Sequence, residues 1–228
     1  MKRHIPNTLT SANLVCGMIG IILAFQGNLS TAVSLIWLAG IFDFLDGFAA
    51  RMLKVSSSIG KELDSLADMV TFGVLPSLVM FLLIKEYSNI DYLPYTGLFI
   101  GVFSALRLAK FNVDEKQAMG FIGLPTPATA LFVSSLPYIL NYDWANRIDN
   151  QIVVIALIAI SVVLSLLMVA ELPLLALKFK NFSLKDNKLR FVLIISSVIL
   201  IAAVQVLAIP LVILLYVILS LFEKDNAN

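Results

Sequence analysis

Between Phe191 and Phe222 the chain runs for 32 residues almost without a polar side chain, and six apolar runs of 16 to 25 residues precede it. Inside a bilayer the backbone finds no water to bond, so runs of this length can be buried there only as helices or as a closed barrel. The short apolar–polar alternation of barrel strands is missing. The expected fold class is therefore all-α, a polytopic membrane helix bundle. Composition agrees, since 60% of the 228 residues are hydrophobic and only 14% are charged, against about 25% charged in a soluble domain. The mean hydropathy is +0.95.

The runs place spans near residues 9–26, 31–54, 63–84, 94–113, 126–141 and 151–175. As one helix the last run would reach about 48 Å, against a hydrocarbon core of about 30 Å. A break at Ala208-Ile209-Pro210 resolves this, because proline removes a backbone donor and disfavours helix in the residue before it. Residues 191–222 then form a hairpin, and the expected total is eight transmembrane helices. Basic residues gather on the cytoplasmic side of membrane proteins. With the N- and C-termini both cytoplasmic, that side receives Lys2, Arg3, Arg51, Lys54, Lys61, Arg107, Lys110, Lys116, Lys178, Lys180, Lys185, Lys188, Arg190 and Lys224. Only Lys85 and Arg147 of the sixteen basic residues fall outside.

No repeat, linker or soluble domain interrupts residues 1–228, which read as a single membrane domain. The polar stretch from Lys178 to Arg190 is expected to be a cytoplasmic elbow anchored beside anionic headgroups. Cys16 has no partner for a disulfide and reads as a small buried side chain. His4, among terminal basic residues, reads as solvated. No cleavable signal peptide is expected, so the first helix stays. A net charge of +1 gives no reason to expect a nucleic-acid partner.

Four aspartates interrupt the apolar pattern: Asp43, Asp46, Asp64 and Asp68. Ionised groups within spans are costly unless they are paired, neutralised or bound to cations. Asp43, Asp46 and Ala50 lie near one stripe of a helix, and Asp64 and Asp68 share a face of the next. If these helices are antiparallel neighbours, the two pairs converge near their cytoplasmic ends. Four hard oxygen donors suit Mg²⁺, Mn²⁺ or Ca²⁺, and two such cations balance four negative charges. With Arg51 about one turn beyond Asp46, the set suits a polyanion held by metals, as in phosphoryl transfer. Gly47 and Gly60 leave room for a ligand against the helix backbone, and Ala50 allows close helix approach. Each small residue taken alone reads equally as helix packing.

Asp43, Asp46, Gly47, Ala50, Arg51, Gly60, Asp64 and Asp68 occupy every fixed position of the pattern D-x-x-D-G-x-x-A-R, eight residues, G-x-x-x-D-x-x-x-D. In this the chain resembles the CDP-alcohol phosphotransferase family. The resemblance implies a six-helix core, here residues 5–175, usually dimeric, that moves a phosphoryl group from a CDP-linked lipid or alcohol to an acceptor hydroxyl and releases CMP. It further implies two divalent cations, Mg²⁺ or Mn²⁺, on Asp43, Asp46, Asp64 and Asp68, with Asp68 also the general base. Gly47, Ala50, Arg51 and Gly60 would bind the CDP-linked lipid, Arg51 at its phosphates.

The stretches Pro6-Asn7 with Thr10 and Asn13, Leu63 to Val74, Arg107 to Asn112, and Phe121 to Ala128 look like the serine-accepting branch of that family, the CDP-diacylglycerol–serine O-phosphatidyltransferases. The implied substrates are a CDP-linked lipid, CDP-diacylglycerol or its archaeal equivalent, and L-serine. The implied site lies in the cell membrane and faces the cytoplasm. Serine needs a base for its hydroxyl and a cation for its carboxylate, and Arg107 and Lys110, with Asn112, are the candidates. The two cations also read as snorkelling anchors. Thr10 and Asn13 are candidates for the donor site, Asn13 being either a nucleotide contact or an interhelix hydrogen-bond partner. Two alternatives stand beside this reading: another acceptor, such as glycerol phosphate or inositol phosphate, or a divalent cation transporter, since buried aspartates also mark ion pathways.

Overall fold

The computed structural model describes residues 4–55, 57–113, 121–175 and 187–225. Lys2, Arg3, Lys116, Lys178, Lys180 and Lys185, and with them most of the expected elbow, lie outside the described residues, as does the side chain of Lys224. Helices α1 (His4–Phe25) and α2 (Leu29–Leu53) form an antiparallel pair joined by a tight turn at Gly27, φ +80°. Next, α3 (Ser58–Asp68), a π-helical turn (Met69–Val74) and α4 (Leu75–Tyr87) make one continuous rod of 30 residues. A 3₁₀ turn (Leu93–Leu98) leads into α5 (Phe99–Val113). Then come α6 (Thr126–Leu140), α7 (Asn150–Val169), α8 (Lys188–Val204) and α9 (Ala208–Asp225).

Among the described residues, six stretches are long and apolar enough to cross a membrane, the last being Lys188–Phe222, whereas α6 is apolar but shorter. Two-residue strands β1 (Phe121–Ile122) and β2 (Pro173–Leu174) pair antiparallel beside the helices. The interior is built from Ile36 of α2, Phe72, Leu75, Met80 and Ile84 of the rod, Ile100 of α5 and Val133 of α6. Large apolar side chains such as Phe44, Met52, Ile155, Leu166 and Ile199 are exposed around the outside. In water such a surface would be a liability; in a bilayer it is an ordinary lipid-facing one.

The first span starts at His4 instead of residue 9, and three further boundaries depart from expectation for local reasons. The third span starts at Ser58 instead of residue 63, because the Ser57 side chain accepts the Gly60 N–H at 3.0 Å and caps the helix there. α7 stops at Val169, six residues before the expected 175. Ala170 is extended (ψ 141°), and Leu172 gives its carbonyl to the Gly123 N–H at 2.9 Å. In the tail the break comes not at Ala208-Ile209-Pro210 but at Gln205, φ 50° and ψ −120°. Pro210 instead occupies the first turn of α9, where a missing N–H costs no helical bond. The two arms pack on each other, and α9 rests on α6. α9 is tied to the core where Ser220 accepts the Leu175 N–H at 3.0 Å and Tyr216 donates to the Leu175 carbonyl at 3.2 Å.

Close approach of α1 to the rod brings the polar groups together. A Cβ at Gly17 would collide with Thr71, and one at Gly20 would press on Leu75. With no side chain there, Thr71 reaches across to donate to the Asn13 carbonyl at 3.1 Å. The π-turn begins immediately after Asp68, and such turns recur at functional sites because they re-aim neighbouring side chains.

Candidate active site

Asp43 of α2 and Asp64 and Asp68 of α3 each offer a carboxylate oxygen, all within 4.8 Å of one another. Among the described residues, two side-chain hydrogen bonds reach these aspartates, both from neutral donors. Asn13 Nδ2 donates to Asp68 at 3.3 Å, and Thr10 Oγ1 donates to Asp46 at 2.6 Å. Neutral donors do not offset three negative charges held so close, and hard carboxylate oxygens at this spacing fit a divalent cation. Asp46 stands slightly apart, buried and held by Thr10.

Two cavities meet at these residues. The smaller, about 260 Å³, is lined by Asn7, Thr10, Asp46, Gly47, Ala50, Gly60, Lys61 and Asp64 among others. The larger, about 680 Å³, is lined at its polar end by Asp43, Lys61, Asp64, Ser65, Asp68, Arg107 and Asn112. Asp64 and Lys61 border both. The aspartate stripe of α2 thus divides, Asp46 toward the small cavity and Asp43 toward the large one.

The glycines separate by role. Around Gly47 a Cβ would meet only the Arg51 guanidinium, at 3.8 and 3.9 Å, so this glycine keeps cavity open and does not serve packing. At Gly60 a Cβ would come within 3.1 Å of Asn7 Oδ1 and 3.0 Å of Ser57 Oγ. Arg51 is exposed in the last turn of α2, which Lys54 ends in a left-handed cap, φ 51°.

Arg107 lies in the interior, donating to Thr126 Oγ1 at 2.9 Å with its guanidinium 5.7 Å from the centre of the Phe111 ring. Among the described residues its Nε has no hydrogen-bond partner. A buried guanidinium that lines a cavity and keeps a donor in reserve is suited to an incoming carboxylate. Asn112 donates to Ser65 at 2.9 Å while its carbonyl accepts from Lys61 at 3.4 Å, which stitches α5 to α3. Lys110 is exposed and lines neither cavity. The structure therefore brings together Asp43, Asp64, Asp68, Arg107 and Asn112 in one place and Thr10, Asp46, Gly47, Ala50 and Gly60 in the adjoining one. Asn13 supports the first set from α1.

Sequence reasoning missed Lys61 as a site residue, counting it only as a topological charge, although it directly follows Gly60. It also missed Thr126, which holds Arg107, and Tyr216, the one tyrosine of the tail, which lines the large cavity. Nothing in the local pattern distinguishes Thr126; its role depends on α6 meeting α5.

Residues 3–167 match the model of the CDP-alcohol phosphatidyltransferase family. The chain belongs to that family. It is 37% identical over 143 residues to CDP-diacylglycerol–serine O-phosphatidyltransferase of Bacillus subtilis (strain 168), covering 60% of this chain and 77% of that protein. The protein of the same name from Helicobacter pylori (strain J99) is 37% identical over 130 residues, or 56% of this chain and 54% of its own length. Archaetidylserine synthase of Methanothermobacter thermautotrophicus is 35% identical over 133 residues, 58% of this chain and 56% of that protein. The chain thus spans about three quarters of the Bacillus relative and little more than half of the other two. The family match ends at residue 167, before α8 and α9.

Proposed function

We propose that this membrane protein is a CDP-diacylglycerol–serine O-phosphatidyltransferase, transferring the phosphatidyl group of a CDP-linked lipid to the hydroxyl of L-serine with release of CMP. The observation that carries the reading is the convergence of Asp43, Asp64 and Asp68 at one end of a cavity that also holds the buried Arg107. The names of the similar proteins supply the acceptor.

In this reading Asp43, Asp46, Asp64 and Asp68 hold two divalent cations, Mg²⁺ or Mn²⁺. Such cations supply Lewis-acid stabilisation of the diphosphate charge. The small cavity takes the cytidine end of the donor, with Gly47, Ala50 and Gly60 against the base, Thr10 fixing Asp46 and Arg51 turned to the phosphates. Lys61, at the seam of the two cavities, adds positive charge where the diphosphate passes between them. In the large cavity Arg107 and Asn112 receive the serine carboxylate, and Lys110, outside both linings, adds only long-range positive charge. Asp68, oriented by Asn13, accepts the proton as the serine oxygen bonds to the lipid-side phosphorus. The bond from that phosphorus to the bridging oxygen breaks, and the electron pair leaves with CMP.

The break at Gln205 supports counting α8 and α9 as separate spans, which with α1, α2, the α3–α4 rod, α5, α6 and α7 makes eight. Basic Arg51, Lys54, Lys61, Arg107 and Lys110 cluster around the aspartate end, which favours a site facing the cytoplasm with both termini on that side. A homodimer belongs to the same reading and rests on the family resemblance alone. Purified protein given CDP-diacylglycerol and a mixture of labelled serine, glycerol phosphate and inositol phosphate should release CMP and form labelled phosphatidylserine. CMP release with label only in another product would replace serine as the acceptor, and divalent-ion flux without CMP would overturn the enzymatic reading.

A further inference from the structure

The large cavity is far bigger than its polar end requires. Beyond Asp68 and Arg107 its walls turn apolar, with Pro125, Pro127 and Leu175 on one side and the tail hairpin on the other. α8 contributes Leu193, Ile194 and Val198, and α9 contributes Val212 and Ile213. Leu193 and Ile213 are buried, whereas Ile194 and Val198 remain exposed, 43% and 62%. The deep wall is closed and its rim opens to the outside of the bundle.

Serine has no use for such walls, since its ammonium and carboxylate would lose hydration against them. The donor does. Its lipid-side phosphorus must lie at the aspartates, and its glycerol and hydrocarbon chains follow within a few bonds. The small cavity, bordered by Asn7, Thr10, Asp46 and Lys61, is the polar alternative and suits the nucleotide.

Resting on the function proposed above, we propose that the chamber between the C-terminal hairpin and the aspartates seats the glycerol-proximal part of the donor's hydrocarbon chains, entering past Ile194 and Val198. The residues beyond the family match thereby become a substrate-selecting wall. A chain gains no hydrophobic free energy in moving from bilayer to chamber, because the two are equally apolar. The wall therefore discriminates by shape, through packing against Leu193 and Ile213, and it reads chain branching and linkage near the glycerol.

The test uses the full-length protein in mixed micelles, with CMP release from CDP-diacylglycerol and serine measured first. Absence of that release defeats the function proposed above and leaves chain placement to the labelling arm. A CDP-diacylglycerol bearing a diazirine near the glycerol end of one chain is then photolysed on the unmodified protein. Labelling of peptides spanning 193–198 or 212–216 is expected; labelling confined to other helices, α1 or α4 for instance, overturns the proposal. Ile213→Trp, which fills the chamber, should raise the donor KM about tenfold through overpacking, with the serine KM as in wild type. A raised serine KM with an unchanged donor KM overturns it, as does no change in either. Should Ile213→Trp fail to fold, the photolabelling decides alone.

Discussion

The two halves of α2 meet the rest of the bundle in opposite ways. Toward its start, Trp37 donates to Ser134 Oγ at 2.7 Å and stacks on Tyr138 at 5.5 Å between ring centres, and the Tyr138 hydroxyl donates to the Ser30 carbonyl at 2.8 Å. The polar tips of Trp37, Tyr138 and Ser34 are answered from α6 or α2 itself. Toward its end the same helix carries Asp43, Asp46 and Gly47 beside two cavities, and the Asp43 carboxylate meets those of Asp64 and Asp68. The first half holds helices together. The second keeps charge and space that no packing explains, which is how a helix looks when part of its binding capacity is kept for a ligand.

Substitutions should separate the halves. Asp68→Asn should lower turnover by about 10²–10⁴-fold, the usual contribution of a general base, with the thermal unfolding midpoint in detergent unchanged or raised. Substantial residual phosphatidylserine synthesis would remove Asp68 as the base. Arg107→Ala should raise the serine KM by about 10- to 100-fold, the worth of one charged hydrogen-bonded contact, and the donor KM much less. An equal change in both would make Arg107 a structural group that serves α6 through Thr126. Trp37→Phe, in the other half, should cost about 0.6–1 kcal/mol of stability, the range for one interhelix hydrogen bond in a membrane. Its KM values for both substrates should match wild type, and a shifted one would mean that the two halves are coupled.

The bundle was legible because long apolar runs leave a bilayer chain few choices, and the eight motif positions named the acidic centre before any contact was known. Two kinds of feature were not. Helix ends at Ser57, Ala170 and Gln205 depend on single caps and backbone angles that hydropathy does not register. The division of the aspartates between two cavities, and the difference between an open Gly47 and a packed Gly17, depend on which neighbour faces each residue. Periodicity gives the face of a helix but not what stands opposite. Arg107 and Lys110 illustrate this, since the pair is three residues apart in sequence, yet one is enclosed beside Thr126 and the other lies in the open.

The wider turn at Met69–Val74 has a consequence for how this chain can vary. Were the same residues to wind as an ordinary α-helix, the surplus residue that the π-turn absorbs would swivel the rod's two ends by roughly 100° against each other. Asp64 and Asp68 would then face a different sector from the one that Leu75, Met80 and Ile84 anchor in the interior. The surplus residue in this short stretch works as a mechanical index mark, and inserting a further residue should be far better tolerated in the connections between helices than inside the rod.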